Sequence, residues 1–119
     1  HPIMRAGLKQ LIETQSDLCV AAEASDVAEA LMRVERVDVD IVLTDLTLPG
    51  RGGLELIKDI HALRPEMPIV VLSMHDEALY AERAIRAGAR GYLMKEAGGE
   101  RVLEAVRQVL DGRIYLSPA

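Results

Sequence analysis

The feature that most constrains the fold is the alternation of strand-like and helix-like hydrophobic spacing along the whole chain. Short apolar runs are separated by longer segments in which apolar residues recur at the spacing of an amphipathic helix. Strands are predicted at 18–24, 39–45, 68–73 and 91–95, and helices near 3–12, 26–34, 54–63, 76–87 and 102–110. This alternation predicts a doubly wound α/β fold, in which parallel strands are joined by right-handed crossovers and covered by helices on both faces.

Length and composition limit the class of protein. The chain has 119 residues, the size of one ordinary domain, and its three tyrosines are the only aromatic residues, so the core must be aliphatic. A single cysteine, Cys19, cannot form an internal disulfide and suits a reducing cytoplasm. The net charge is −5 and the basic residues are dispersed, which argues against a nucleic-acid surface. No apolar run is long enough for a membrane span, so we expect a cytoplasmic domain without membrane contact.

Three of the predicted strands end in side chains of different chemistry. The carboxylate of Asp45, the hydroxyl of Ser73 and the ammonium of Lys95 each stand where a strand stops. Ligands of open parallel sheets bind at the carboxyl ends of the strands, so the three groups are expected on one edge. A carboxylate can attack phosphorus, while an ammonium and a hydroxyl can bind phosphoryl oxygens. Each residue alone also fits a turn or a solvated strand end, and only the ordered set favours a phosphoryl site.

The segments TDLTLPGRGG, VVLS and GYLMK resemble the motifs of the receiver domain of two-component response regulators. The resemblance covers essentially the whole chain. It implies a flavodoxin-like (CheY-like) fold, a five-stranded parallel sheet in the order 2-1-3-4-5. It also implies that Asp45 is the phosphoacceptor and that Ser73 and Lys95 bind the phosphoryl oxygens.

Further positions match the same motifs. Tyr92, three residues before Lys95, matches the aromatic residue whose rotamer changes on phosphorylation. Pro49 and Gly53 match the loop that follows the acceptor. The resemblance therefore implies a signalling domain that accepts a phosphoryl group and does not turn over a substrate, beyond transfer to itself and loss of the group.

Two longer segments, LSMHDEALYAERAIRAGARGYLMKE and DGRIYLSP, resemble the NarL/FixJ (LuxR-type) branch of this family. In that branch a linker leads to a helix-turn-helix DNA-binding domain. The resemblance implies a receiver domain at 1–112, the start of the linker at 113–119, and a DNA-binding domain in a longer parent protein that controls transcription. It also implies a sensor histidine kinase as partner and a homodimer on phosphorylation, with DNA contacted only through the further domain.

The magnesium site is where the sequence departs from the family pattern. Receivers hold Mg²⁺ with an acidic pair at the end of their first strand, directly before the His-Pro that opens this chain. We expect that pair and its strand upstream of His1, with truncation or pairing by a neighbouring chain as the alternatives. Within the sequence, Asp45 remains as a ligand, with the backbone of Thr47 as a further candidate. Glu13 and Asp17 fall at the far end of the first helix and do not replace the pair.

Two other functions are open at this point. Phosphatases of the haloacid dehalogenase type also combine an Asp nucleophile, a hydroxyl and a Lys, but carry a second acid two residues after the nucleophile. That position is Thr47 here, which argues against this class. A phosphorylation-independent (pseudo-receiver) interaction module is the other alternative, because the acidic pair is not part of the sequence.

Overall fold

The computed structural model describes residues 2–45, 52–73 and 78–116. Its helices are α1 (Pro2–Glu13), α2 (Val27–Arg36), α3 (Gly53–Leu63), α4 (Ala78–Ala87) and α5 (Gly99–Leu110). Its strands are β1 (Val42–Asp45), β2 (Ile69–Ser73), β3 (Gly91–Met94) and β4 (Tyr115–Leu116), and a 3-10 turn spans Lys95–Ala97. The described strands form one parallel sheet in the order β1-β2-β3-β4.

Local sequence signals explain how α2 begins and ends. The carboxylate of Asp26 accepts a hydrogen bond from the Glu29 amide at 2.9 Å, as an N-cap does. The Glu29 carboxylate reaches back and accepts from the Ser25 amide at 2.7 Å. At the other end Arg64 donates to the carbonyl of Val34 at 3.0 Å, which satisfies a carbonyl that the helix itself leaves unpaired.

The sheet has a buried cluster of apolar side chains on each face. One cluster joins the sheet to α2, α3 and α4, and its strand members include Ile69, Val71 and Tyr92. The other joins the sheet to α1 and α5, and its strand members include Val70, Leu72, Leu93 and Tyr115. Successive residues of β2 therefore alternate between the two clusters, as the pleat of a strand requires. The predicted α/β sheet with helices on both faces and an aliphatic core is confirmed.

Two predicted elements differ from the structure at the two borders of the sheet. The segment Leu18–Ala24, predicted as a strand, has no strand pairing among the described residues, so that prediction is wrong for this chain. A strand exists only with a ladder partner, and the family order puts the strand expected upstream of His1 between this segment and β1. At the opposite border β4 forms at Tyr115–Leu116, where a linker was predicted to start. The division of domains at residue 112 remains a prediction.

Candidate functional site

The parallel register brings the predicted strand-end residues to one edge of the sheet. Asp45 is the last residue of β1, and its Cα partner is Leu72 of β2. Ser73, the last residue of β2, has Met94 of β3 as its partner, and Lys95 follows directly. The three side chains therefore lie at the carboxyl ends of three neighbouring strands, as the sequence predicts.

Asp45 and Lys95 form an ion pair across the end of β2. The Lys95 Nζ donates to Oδ2 of Asp45, and the two side chains are only 9% and 13% exposed for Lys95 and Asp45. Their strands are not neighbours, and two strand spacings amount to about 10 Å. The long lysine stem covers this distance, so an ammonium group is already held on the carboxylate. Because water is largely excluded, the attraction between the two charges is stronger than at an open surface.

Ser73 lies between the two charged residues and is fully buried. Thr44, directly before Asp45, is also buried, and its hydroxyl donates to the Asp45 carbonyl at 3.2 Å. These two hydroxyls are the buried polar side chains of the described residues. Sequence reasoning missed Thr44 because threonine is common in strands and gives no separate signal there.

Tyr92 lies on the same face of the sheet as Ser73. Tyr92 is in register with Val71, and Ser73 is two residues further along β2, so all three side chains point to the face covered by α3 and α4. The Tyr92 side chain is only 4% exposed. The residue predicted as the switch aromatic, Tyr92, is therefore two register positions from the residue predicted as the switch hydroxyl, Ser73, on the same face of the sheet.

Of the remaining predicted positions, only Gly53 lies among the described residues. Gly53 is the first residue of α3 and is buried. Pro49, predicted in the acceptor loop, and Thr47, whose backbone is a candidate magnesium ligand, lie outside the described residues.

The carboxylate of Asp17, which follows α1, is engaged by a residue of α5. Asp17 is bound by Arg107 of α5, with nitrogen–oxygen distances of 2.7 and 3.0 Å. The hydrogen bond from Arg107 holds the pKa of the Asp17 carboxyl below its usual range, and the same bond raises the pKa of Arg107. These contacts engage Asp17 in a surface ion pair between the end of α1 and α5.

The residues described here do not by themselves make a magnesium site. In residues 2–45, 52–73 and 78–116 there is no group of three or more acidic, histidine or cysteine side chains that could hold a metal ion. Asp45 supplies one carboxylate, and Lys95 already occupies one of its oxygens. A magnesium site at this edge would need further oxygen ligands from residues outside the described ranges.

The sequence pattern described as the response regulator receiver domain matches residues 1–107 of this chain. The chain belongs to the response regulator receiver domain family. The receiver is 36% identical over 119 residues to the nitrate/nitrite response regulator NarL of Escherichia coli K12, covering 100% of this chain and 55% of that protein. It is 32% identical over 118 residues to the transcriptional regulatory protein DegU of Brevibacillus brevis, covering 99% of this chain and 50% of DegU.

A solved structure extends the comparison to the fold. The crystal structure of a two-component response regulator of the LuxR family from Aurantimonas sp. SI85-9A1 matches with a TM-score of 0.95 and 38% identity. The match covers 99% of this receiver and 84% of that chain. The predicted family, its NarL/LuxR-type branch and its flavodoxin-like fold are confirmed. The receiver spans about half the length of the curated relatives NarL and DegU.

Within the described ranges, none of the helices is both long enough and apolar enough to cross a bilayer.

Proposed function

We propose that this receiver takes a phosphoryl group from a sensor histidine kinase onto Asp45 and thereby switches an output surface. The observation that carries the proposal is the Asp45–Lys95 ion pair, held nearly buried at the carboxyl edge of the sheet with Ser73 between the two strands. A reactive carboxylate at the end of a rigid strand is fixed in position, and phosphoryl transfer depends mainly on position and charge.

Asp45, Lys95 and Ser73 each have a role in the transfer. An oxygen of the Asp45 carboxylate attacks the phosphorus of the phosphohistidine, and the new oxygen–phosphorus bond forms as the nitrogen–phosphorus bond breaks. The leaving imidazole nitrogen takes up a proton. Lys95 then faces an oxygen of the phosphoryl group, and the Ser73 hydroxyl donates to another. Because Lys95 is already in place, little reorganisation accompanies the step.

The phosphoryl group then acts as a switch. It adds about −1.5 to −2 charges at neutral pH, by analogy with other phosphorylated side chains. Ser73 moves toward this charge, and Tyr92 turns into the space that Ser73 vacates, on the face that they share. Coupling between allosteric sites is typically about 1–3 kcal/mol, a 5- to 150-fold change in an equilibrium, so we expect a partial shift of populations.

The wider assignment follows the relatives. Because NarL and DegU are about twice as long and carry the names of a response regulator and a transcriptional regulatory protein, we place this receiver in a parent protein that controls transcription. In that protein 113–119 begins the linker to a DNA-binding domain, and phosphorylation produces a homodimer in the cytoplasm. Asp45 and the acidic pair expected upstream of His1 would hold Mg²⁺, which would neutralise charge on the phosphoryl oxygens.

Labelling with a small phosphodonor tests the acceptor. The full-length protein is incubated with an acyl phosphate, with Mg²⁺ or with a chelator, and its intact mass is measured before peptide mapping. We expect one phosphoryl adduct, on Asp45, that requires Mg²⁺, and none on Asp45→Asn, because an amide oxygen is a poor nucleophile. Asp38→Asn, which removes an exposed carboxylate shortly before β1, is the matched control and should label normally.

The other outcomes identify the competing functions. Equal labelling of Asp45→Asn and the unsubstituted protein would contradict the acceptor assignment. A protein that carries the upstream pair and takes no label would instead be a phosphorylation-independent module. Sustained turnover of a phosphate ester would indicate a phosphatase.

A further inference from the structure

The short strand β4 is formed by a tight reversal of the chain after α5. Gly112 has a φ of +87°, the left-handed conformation that glycine adopts readily after a helix. The Gly112 amide donates to the Val109 carbonyl at 3.1 Å and the Arg113 amide to the Gln108 carbonyl at 3.0 Å. The chain then runs back along the edge of β3, where the Tyr115 amide donates to the Arg90 carbonyl at 2.9 Å.

The two residues of β4 point to opposite faces of the sheet. Tyr115 is in register with Gly91 and is buried in the cluster that joins the sheet to α5. Leu116 is in register with Tyr92, so its side chain points to the other face, toward the side of α4. Tyr115 therefore anchors the strand, while Leu116 lies beside the proposed switch aromatic.

Leu116 lies next to Tyr92 in the sheet, in the strand on the outer side of β3. Along this register row the exposed fraction rises from 0% at Val71 to 4% at Tyr92 and 54% at Leu116. Neighbouring strands are about 4.8 Å apart, which places the Leu116 and Tyr92 side chains within contact distance. With β4 in place, β3 is an inner strand, and Tyr92 is buried between two aliphatic neighbours.

We propose that β4 relays the state of Tyr92 to the chain that follows Leu116; this rests on the proposed phosphorylation of Asp45. When Tyr92 turns inward toward Ser73, Leu116 loses the neighbour that covers its inner side. A two-residue strand has few backbone hydrogen bonds, so loss of a side-chain neighbour loosens it. The segment at 113–116 is thus held in the unphosphorylated receiver and released in the phosphorylated one.

Hydrogen exchange at β4 measures the relay directly. In the full-length protein, amide exchange of peptides that contain 113–116 is compared before and after labelling, and intact mass confirms the phosphoryl adduct in the same sample. We expect exchange in this segment to rise on phosphorylation, within the 5- to 150-fold range of coupled sites. Unchanged exchange at 113–116 in a sample whose Asp45 is labelled would overturn the relay and leave the acceptor role intact.

A pair of variants separates the Tyr92 contact from general loss of apolar surface. Leu116→Ala removes the side chain beside Tyr92, so exchange at 113–116 should be raised without label and should no longer respond to it. Ile114→Ala is the matched control, because Ile114 is an apolar residue two positions before Leu116, is 60% exposed and is not in register with Tyr92. This control should keep the full response, and equal behaviour of the two variants would contradict the relay.

The contact can also be tested without phosphorylation, which keeps the two proposals separable. This chain has three tyrosines, Tyr80, Tyr92 and Tyr115, and no tryptophan, so a difference in tyrosine quenching between variants that differ only at one receiver residue reports on the surroundings of these tyrosines. Leu116→Ala should make the fluorescence more accessible to acrylamide, whereas Ile114→Ala should not. If neither variant changes the quenching, the Tyr92–Leu116 contact does not exist, whatever happens at Asp45.

Discussion

Two carboxylate–cation pairs of similar chemistry differ in their exposure to water in this receiver. Asp45–Lys95 and Asp17–Arg107 each join residues far apart in the sequence, and each holds parts of the fold together. The side chains of the first pair are 13% and 9% exposed, and those of the second are 60% and 44% exposed. Burial is what separates them, because water and salt weaken an exposed pair and leave a buried one largely intact.

This difference in burial indicates which of the two pairs is the better candidate for a functional role. An exposed pair contributes little, since its charges are well solvated with or without each other. A nearly buried pair persists only where the fold holds both charges, and removal of one leaves the other in a poorly solvated place. The predictions below test this contrast from the larger expected effect to the smaller.

Lys95→Met should give the largest effect, about a 10²-fold lower rate of Asp45 phosphorylation by a small phosphodonor. Removing one preorganised donor to a developing charge typically costs this much. The rate of adduct formation, followed by intact mass, is the measurement. Lys58→Met is the control, because Lys58 is an exposed lysine of α3, and its rate should not change. Unaltered labelling of Lys95→Met would remove Lys95 from the site.

Ser73→Ala should have an intermediate effect that falls on the switch. The acceptor carboxylate remains, so Asp45 still takes the label, but the phosphoryl group loses the hydrogen bond that draws Ser73 toward it. The ratio of hydrogen exchange at 113–116 with and without label should fall to about one, from the 5- to 150-fold range expected of coupled sites. Ser73→Thr keeps a hydroxyl and should keep the response. A full response in Ser73→Ala would show that the hydroxyl does not transmit the switch.

Arg107→Gln should give the smallest effect and should leave labelling unchanged. Because Arg107 lowers the pKa of Asp17 in the folded state, this pair stabilises the fold above the ordinary aspartate pKa of about 3.9. That stabilisation is lost as the pH falls through the lowered value. Urea midpoints measured from pH 6 downward should therefore show a small deficit in the variant that begins to shrink below about pH 4 and disappears only below the lowered pKa of Asp17. A deficit that persists in strong acid would assign the effect to packing of the arginine stem.

Several elements follow from sequence because their signals are local. Asp26 with Glu29 marks the start of α2, and Pro65 comes directly after the residue that caps α3. The strands β1, β2 and β3 end at or beside Asp45, Ser73 and Lys95, as predicted. For this reason the placement of Asp45, Ser73 and Lys95 at one edge was predictable once the sheet was taken as parallel.

Other features needed the packed molecule. The spacing by three of Leu54, Ile57, Ile60 and Leu63 favours these residues as the buried face of α3, but Leu63 is exposed and Leu56 is buried. Strict spacing by three drifts about 60° per step around a helix, so Leu63 stands about 180° from Leu54. The buried face is instead centred on Leu56, Ile57 and Ile60, which a spacing that mixes three and four residues describes.

From the sequence alone, the class of fold and the strand-end positions of Asp45, Ser73 and Lys95 could be predicted, because hydrophobic spacing and strand-end residues are local features of the sequence. Only the tertiary structure decided which segments pair at the borders of the sheet: Leu18–Ala24 remains unpaired in the described chain, while Tyr115–Leu116 joins β3. Only the tertiary structure shows that Lys95 reaches Asp45 across an intervening strand. It also shows that Arg107 of α5 binds Asp17, which lies 90 residues away in the sequence. A strand needs a partner and an ion pair needs a neighbour, and both come from parts of the chain that are distant in sequence.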